Sequence, residues 1–226
     1  MRLLLTAFEP FAGEAVNPSS RVLDALRGHL PAGIEGALLE LPVQRARAAE
    51  ELLRAWTVGG FEVWLGLGQA GGRPEICLER MARNAFCALP EPGAAPPTVE
   101  VVRADRPRAY RCRWPAVSLQ RALAMEGWPV RISHSAGTYV CNEVLFAMQH
   151  QLRARVSPTS AWAGFVHLPY LPEQLEGKDA DVPALALEAQ VQVVRRILEW
   201  LRDARASQQQ VGQEAQEHPG LAQRRG

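Results

Sequence analysis

Short apolar segments alternate along this chain with longer segments whose apolar residues recur every three or four positions. The short segments are typical of buried β-strands and cover residues 2–6, 37–41, 61–67, 98–102, 130–133 and 163–168. The longer segments are typical of amphipathic helices and cover residues 19–30, 44–56, 116–127, 141–152 and 184–203. This alternation favours an α/β fold, in which helices cover both faces of a sheet and functional sites lie where loops leave the carboxyl ends of strands.

The length of the chain and the composition of its C-terminal end predict the domain organisation. A chain of 226 residues has the size of one large domain and can bury a core without disulfides or metals. We predict a single domain over residues 1–203. Residues 204–226 contain six glutamines and almost no large apolar side chains, so we predict a disordered tail there.

The charge composition excludes several classes of function. The chain has 25 basic and 24 acidic residues and a net charge of +1, which is unlike the strongly basic surface of a nucleic-acid-binding protein. Lys178 is the only lysine in the sequence. Phosphate-loop, Schiff-base and Ser–Lys mechanisms all require a lysine, so they would have to use this one residue.

The cysteines and the N-terminal segment predict the cellular compartment. The four cysteines form no C-x-x-C pair and no Cys/His cluster with the spacing of a zinc site. The N-terminal apolar run soon meets an acidic residue and two prolines, which is typical of a buried strand and not of a signal peptide. Apolar runs of about 18 residues, as in membrane helices, are absent from the sequence. We therefore expect a soluble, cytoplasmic protein with reduced thiols.

Three glycines follow the third predicted strand in the pattern Gly66-x-Gly68-x-x-Gly71. The pattern matches the fingerprint of dinucleotide-binding folds, but that fingerprint normally follows a first strand and opens a helix. Pro74 interrupts any helix here, and the acidic residue about 20 positions later would be Glu91, inside a proline-rich loop. We favour a tight turn whose backbone approaches another group closely, and keep nucleotide binding as the alternative.

Cys141 is the strongest candidate for a nucleophile. It lies at the predicted start of a helix, where unpaired N–H groups favour a thiolate and can hold an oxyanion. A single cysteine is more often a small buried apolar residue, so position alone does not decide the role. His167, at the carboxyl end of a predicted strand, is the candidate base, and His134 competes with it because it flanks the same loop as the cysteine.

Glu79 lies between apolar neighbours in the segment CLERMARN, which indicates burial. A buried carboxylate needs a partner, and His167 is one candidate, while Arg80 and Arg83 are the alternatives. Triads are recognised by geometry and not by chain order, so the order Glu79, Cys141, His167 is compatible with one.

Four sequence blocks resemble those of the pyroglutamyl peptidases, cysteine aminopeptidases that remove N-terminal pyroglutamate. The blocks are TAFEPFAGEAVNPSS, GLGQAGGRPEICLERMARN, SHSAGTYVCNEVLF and GFVHLPYLPEQ. They occur in the family's order and spacing, and the resemblance covers about residues 1–202. It implies that Cys141 is the nucleophile, that His167 is the general base and then acid, and that Glu79 orients the imidazole.

The resemblance also implies a pocket for the pyrrolidone ring. Phe8 and Phe11 would form an apolar slot, Gln69 would present backbone donor and acceptor groups to the lactam, and the loop with Tyr139 and Val140 would close the pocket. Such a slot suits an uncharged lactam and penalises a charged N-terminus through desolvation.

The family resemblance further implies a fold, a reaction without cofactors, and partners. The fold would be a three-layer, phosphorylase/hydrolase-like α/β sandwich with a mixed, mostly parallel, twisted sheet. The reaction would need no metal and no cofactor. The partners would be peptides or proteins with an N-terminal pyroglutamate, and the chain would assemble as a homo-oligomer, a tetramer by analogy with the family; neither nucleic acid nor membrane is expected.

The sequence departs from the family pattern at three positions. Ala7 and Ala12 stand where glycine is usual, and an alanine at a positive φ would be strained. A family arginine near the oxyanion is replaced by Leu89, and Arg73 or Arg83 are the candidates to substitute for it. These departures motivate one further alternative, a family member that binds pyroglutamyl ends without hydrolysing them.

Overall fold

The structure is a computed structural model that describes residues 1–90, 93–154 and 161–217. Its strands are β1 (Arg2–Phe8), β2 (Glu35–Leu41), β3 (Val63–Gln69), β4 (Ile76–Glu79), β5 (Met81–Arg83), β6 (Ala109–Arg111), β7 (Val130–Ser133) and β8 (Trp162–Leu168). Its helices are α1 (Pro18–Leu26), α2 (Arg47–Gly59), α3 (Ala116–Met125), α4 (Val140–Ala154) and α5 (Leu187–Glu217), and a single 3₁₀ turn spans Pro172–Gln174.

Six of these strands form one mixed sheet in the order β2-β1-β3-β8-β4-β7. Strands β2, β1, β3 and β8 are parallel to one another, whereas β4 is antiparallel to β8 and parallel to β7. Helices α1, α3 and α5 pack together on one face of the sheet, and α2 and α4 pack on the other. The predicted three-layer α/β fold with a mostly parallel mixed sheet is confirmed.

Helix α1 fixes the loop that follows β1. Asn17 caps the helix, because its Oδ1 accepts a hydrogen bond from Ser19 N at 3.0 Å, and Pro18 occupies the first turn, where no backbone donor is required. The helix ends at Leu26, before the predicted end at residue 30, because Gly28 adopts a φ of +75° that an α-helix cannot contain.

The predicted strand at 98–102 is wrong, and β4, β5 and β6 were not predicted. The segment 98–102 makes one isolated bridge, between Glu100 and Phe86, and the side chains of Val99 and Val101 are 66% and 59% exposed. Strand β4 has four residues, all buried, so it lacks the alternating pattern by which a strand with one buried face is recognised.

The predicted disordered tail is wrong for residues 204–217, because α5 continues through them to Glu217. Arg205 anchors this extension: its side chain is 4% exposed, its guanidinium carbon lies 5.2 Å from the Trp162 ring centroid, and its Nη2 donates to Glu62 Oε1 at 3.3 Å. The remaining residues of the predicted tail, 218–226, lie outside the described residues.

Among the described residues, no helix is both long enough and apolar enough to span a membrane.

Candidate active site

A pocket of about 300 Å³ lies where β3 and β8 end and α4 begins. The residues around it include Phe11, Gln69, Arg73, Leu89, Cys141 and His167. A narrow cleft adjoins the pocket and shares four of its residues, which are Phe11, Gln69, Tyr139 and Cys141. The sheet and helix α4 thus bring two of the predicted catalytic residues to one cavity.

His167 is held by a buried hydrogen bond to Glu79. Its Nδ1 lies 2.8 Å from Glu79 Oε1, its side chain is 4% exposed, and its ring packs edge-on against Phe165 with 5.0 Å between centroids. Because an ionised carboxylate only accepts hydrogen bonds, Nδ1 carries the proton and Nε2 of the neutral ring is free to accept one. The competing candidate His134 is exposed and does not line the pocket.

Glu79 is fully buried at the end of β4 and accepts two hydrogen bonds on the same oxygen. Its Oε1 accepts from His167 and from Arg73 Nη1 at 2.9 Å, and Arg73 Nη2 also donates to the carbonyl of Ser135 at 3.1 Å. Burial alone would raise the pKa of this carboxyl, but the hydrogen bond and charge of His167, with smaller contributions from hydrogen bonds of Ser133 and Arg73, hold it below its usual range. The carboxylate is therefore ionised at neutral pH. The sequence leaves His167, Arg80 and Arg83 as candidate partners of Glu79. In the structure the partner is His167, and Arg73 donates a second hydrogen bond.

Cys141 is the second residue of α4, and its sulfur lies against β3. A Cβ atom built on Gly68 would be 2.9 Å from Cys141 Sγ, and Gly68 is the residue of β3 paired with His167 on β8. The next residue, Asn142, fixes the start of the helix because its side chain accepts from Arg83 N and donates to the carbonyls of Arg83 and Ala85. The thiol therefore lies beside Gly68, whose paired residue on the neighbouring strand β8 is His167.

The protonation state of Cys141 differs from the one predicted from its helix position. Burial raises the pKa of the thiol to about 12, and the negative charge of Glu79 acts in the same direction. The backbone N–H at the helix start and the charge of Arg73 lower the pKa but do not compensate. The side chain is still partly exposed towards the pocket. At neutral pH the thiol thus keeps its proton, and a neighbouring base must remove it.

This raised pKa predicts the pH dependence of alkylation by iodoacetamide. Only the thiolate reacts, and below a pKa of about 12 the thiolate fraction rises about tenfold for each pH unit. We expect the alkylation rate constant of Cys141 to rise about tenfold per unit between pH 7 and 9, measured by mass spectrometry of the labelled peptide. Labelling of the Cys141→Ala variant gives the background from the partly exposed Cys87. A rate that is constant between pH 6 and 8 would contradict the prediction.

The five residues predicted to form the substrate slot lie together. They line the narrow cleft beside Cys141, and they are Phe8, Phe11, Gln69, Tyr139 and Val140. Phe8 and Val140 are almost fully buried, and the rings of Phe11 and Tyr139 face each other with centroids 6.4 Å apart. The cleft is therefore apolar on its walls.

Gln69 provides the polar groups of this cleft through its backbone. The N–H of Ala70 donates to the carbonyl of Leu168 on β8, so the N–H and C=O of Gln69 point the opposite way, towards β1. The pairing of β1 with β3 ends at Thr6 and Gly66, before Gln69 is reached. One donor and one acceptor are thus directed into the gap between β1 and β3.

Comparison with known proteins identifies the family. The sequence model of the family described as pyroglutamyl peptidase matches residues 1–202. The chain belongs to the pyroglutamyl peptidase family. A pyrrolidone-carboxylate peptidase of Chromobacterium violaceum is 40% identical over 173 residues, which cover 76% of this chain and 79% of the relative. One of Levilactobacillus brevis is 38% identical over 191 residues, which cover 83% of this chain and 90% of the relative.

Solved structures agree with this assignment. The pyrrolidone carboxyl peptidase of Fervidobacterium islandicum superposes with a TM-score of 0.82 at 35% identity, covering 90% of this chain and 99% of that one. Pyroglutamyl peptidase I of Bacillus amyloliquefaciens superposes with a TM-score of 0.80 at 28% identity, covering 89% of this chain and 94% of that one.

In this family member the three glycines of the G-x-G-x-x-G pattern make room for side chains. A Cβ on Gly66 would lie 2.5 Å from the Phe165 ring, one on Gly68 would meet Cys141 Sγ, and one on Gly71 would lie 2.1 Å from the Tyr170 ring. Gly66 and Gly68 belong to β3 and not to a turn, and the next element is β4 instead of a helix. The dinucleotide interpretation is therefore wrong, and the residue it would need, Glu91, lies outside the described residues.

The contact at Gly68 predicts a large effect of one methyl group. In Gly68→Ala the new Cβ would lie 2.9 Å from both Cys141 Sγ and Phe165 Cζ, so the sulfur must move away from the imidazole. Because misplacing a reacting atom by about 1 Å can cost about 10²-fold, we expect kcat/KM to fall about 100-fold. Gly36→Ala is the matched control, since on β2 its new Cβ would lie 2.5 Å from the Leu30 side chain, away from the sulfur and the imidazole. Equal losses of activity in the two folded variants would contradict this account.

The departures from the family pattern have distinct structural consequences. Ala12 has a φ of +53°, so the predicted strain of an alanine is present there, whereas Ala7 is an ordinary buried residue of β1. Leu89 is 40% exposed and lines the pocket. Of the two candidate substitutes, Arg73 lines the same pocket, while Arg83 is exposed and does not.

Two residues with contacts at this site carry no sequence signal for them. Arg73, which the sequence suggests only as a replacement arginine, contacts Glu79, and Gln174, which no sequence pattern marks, contacts Gln69. The Nε2 of Gln174 donates to Gln69 Oε1 at 2.9 Å. Both residues lie in the quoted sequence blocks, but their partners are on other strands, and no local pattern marks such pairs.

Proposed function

We propose that this chain hydrolyses the peptide bond that follows an N-terminal pyroglutamyl residue, with Cys141 as nucleophile, His167 as general base and acid, and Glu79 as the group that orients the imidazole. The observation that carries the proposal is the buried Glu79–His167 hydrogen bond of 2.8 Å, which leaves the second imidazole nitrogen for a thiol lying against the neighbouring strand. Membership of the pyroglutamyl peptidase family supports the same reaction.

Acylation begins with proton transfer from the Cys141 thiol to Nε2 of His167. The sulfur then adds to the pyroglutamyl carbonyl carbon, and the carbonyl oxygen becomes an oxyanion. The first intrahelical hydrogen bond of α4 runs from Glu143 N to the carbonyl of Tyr139, so the N–H groups of Cys141 and Asn142 precede it and can hold the oxyanion. The imidazolium next protonates the leaving amine as the C–N bond breaks, which gives a thioester and a shortened peptide.

Deacylation repeats the proton transfers with water. Neutral His167 removes a proton from a water molecule, the hydroxide adds to the thioester carbonyl, and the C–S bond breaks. The thiolate takes back the proton from the imidazolium, and free pyroglutamate leaves. Through both steps the Glu79 carboxylate keeps the ring orientation and stabilises its charged form, and Arg73 donates a further hydrogen bond to that carboxylate.

The slot explains the preference for a lactam. A pyrrolidone ring is flat and uncharged, and it carries one N–H and one C=O that match the free C=O and N–H of Gln69. An open N-terminal glutamate would bring an ammonium and a carboxylate between apolar walls, where neither charge is compensated. The expected selectivity therefore arises from desolvation.

The function is tested by the release of a coumarin amine from pyroglutamyl, glutamyl and prolyl conjugates. We expect release from the pyroglutamyl conjugate alone. Binding of pyroglutamyl peptides without any release would overturn the proposal in favour of a protein that only recognises such ends.

The compartment and the assembly remain part of the proposal. We propose that the protein works in the cytoplasm on peptides, since its four cysteines are free thiols and its near-neutral charge suits neither nucleic acid nor a membrane surface. Fractionation of cells that produce the chain tests the compartment. A homo-tetramer stays a prediction from the resemblance, and sedimentation velocity measures it.

A further inference from the structure

Gln174 is a buried polar residue that does not line the substrate slot but contacts Gln69, which does. It ends the 3₁₀ turn that follows β8, downstream of His167 on the same segment, and it is only 4% exposed. A buried carboxamide is stable only if its donors and its acceptor find partners, so the hydrogen bonds of Gln174 define what it holds together.

The carboxamide of Gln174 is bonded at both ends. Its Oε1 accepts from Leu171 N at 3.0 Å, and its Nε2 donates to Gln69 Oε1 at 2.9 Å and to the carbonyl of Val16 at 3.1 Å, with Glu14 Oε2 at 3.4 Å. A backbone donor faces one end and acceptors face the other, so only this amide orientation fits. Three chain segments meet at this one side chain.

One of those segments is the loop between β1 and α1 that carries Phe11. The N–H of Glu14 donates to the carbonyl of Phe11 at 3.0 Å, which closes a turn around these residues. The second carboxylate oxygen of Glu14 pairs with Lys178, the only lysine, at 2.6 Å, and that ammonium lies 4.8 Å from the Tyr170 ring centroid. The Phe11 loop is thus tied through Glu14 both to Gln174 and to Lys178.

The second segment is the end of β3. At Gln69 the strand has β8 on one side but no longer pairs with β1 on the other, because that pairing ends at Gly66. The hydrogen bond from Gln174 to the Gln69 side chain supports the strand at this unpaired point. It also keeps the side-chain carbonyl engaged, so the Gln69 backbone groups are the ones presented to the slot.

We propose that Gln174 is a positioning residue for recognition of the pyroglutamyl ring, holding the Gln69 backbone and the Phe11 loop at the separation that the ring requires. The inference rests on the proposed function and adds the residue that sets the geometry of its slot. Since Gln174 touches neither the sulfur nor the imidazole, its loss weakens substrate binding much more than the chemical steps.

The test is Gln174→Glu, which keeps the shape of the side chain and replaces the Nε2 donor by an acceptor. At pH 8 a carboxylate would face the oxygens of Gln69, Val16 and Glu14. We expect KM for the pyroglutamyl conjugate to rise at least about tenfold, which corresponds to the loss of one or two buried hydrogen bonds. The kcat of the variant should stay within about threefold of the wild-type value. At pH 5.5 the protonated acid donates again, and the ratio of variant to wild-type KM falls. A purely structural role would lower the stability of the variant without raising KM more than it lowers kcat.

Gln190→Glu is the matched control. Gln190 is fully buried, and its Nε2 also donates to two carbonyls, of Pro169 at 3.2 Å and of Leu185 at 2.8 Å, but it contacts neither Gln69 nor the Phe11 loop. We expect a lower melting temperature and an unchanged KM. An equal rise in KM for this variant would overturn the inference, because general destabilisation would then account for both.

A second variant covers the case in which Gln174→Glu fails to fold. Glu14→Gln loses the ion pair with Lys178 at a partly exposed site, so it should fold, and we expect KM to rise with kcat maintained. If the wild type is active and KM is unchanged in whichever of Gln174→Glu and Glu14→Gln folds, the role of Gln174 is refuted and the proposed function is not. A wild type that releases no pyroglutamate would instead overturn the proposed function.

Discussion

Replacement of Cys141 by alanine is expected to lower the release of pyroglutamate at least about 10⁴-fold. The proposed reaction passes through a bond to this sulfur, and removing a member of a catalytic triad leaves only the catalysis supplied by binding and by the oxyanion site. Serine at the same position is expected to be similarly inactive, because His167 would have to deprotonate a much weaker acid. The measurement is turnover of the pyroglutamyl conjugate.

Two controls separate chemistry from folding in this experiment. Cys112→Ala removes a thiol whose pKa burial also raises to about 12 but which lies outside the pocket, and its activity should stay within about threefold of wild type. Cys141→Ala itself should still bind a pyroglutamyl peptide in calorimetry, since the slot is intact. Wild-type turnover by Cys141→Ala would refute the assignment of the nucleophile.

Glu79→Gln is expected to cause the second largest loss, about 10³- to 10⁴-fold in kcat, with KM little changed. The neutral amide cannot stabilise the imidazolium, and if its NH₂ faces Nδ1 it imposes the wrong tautomer on His167. In the other orientation the NH₂ takes the place of the buried Oε2 and the ring keeps its tautomer, so that only the negative charge is lost. Turnover of the pyroglutamyl conjugate measures the change.

The control for this change is Glu143→Gln. Glu143 is also a buried carboxylate, on the same helix as Cys141, but it accepts a hydrogen bond from Ala46 N and does not line the pocket. Burial raises the pKa of Glu143, so loss of its charge costs less than at Glu79. We expect near wild-type kcat. Equal losses in the two variants would mean that Glu79 has no specific role in orienting the imidazole.

Elements with a strong local pattern could be predicted from the sequence. Strand β7 lies at the predicted residues, 130–133, and α4 extends its predicted range of 141–152 by only one residue before it and two after it. Apolar periodicity or a compact apolar run is enough for such elements, since each buries a face that its own residues define. The C-terminal helix was extended beyond its predicted end by contacts of Arg205 with distant residues, which no local pattern contains.

The candidate site could be predicted only in part, for a similar reason. The burial of Glu79 followed from its apolar neighbours, but its partner depended on β4 being antiparallel to β8, where Cys77 pairs with His167 and Glu79 reaches the ring diagonally. The thiol pKa was predicted in the wrong direction because helix position is visible in a sequence whereas burial is not. The opposing effects can be weighed only once the packing around the sulfur is known.

The place of β8 in the sheet has a consequence for the folding of this enzyme. The last strand among the described residues, β8, lies between β3 and β4, so a chain that lacks residues 162–168 has no strand to join β2-β1-β3 to β4-β7. His167 lies on that closing strand, and its hydrogen bond to Glu79 joins the two groups of strands. Completion of the sheet and arrival of the proposed general base therefore depend on the same strand.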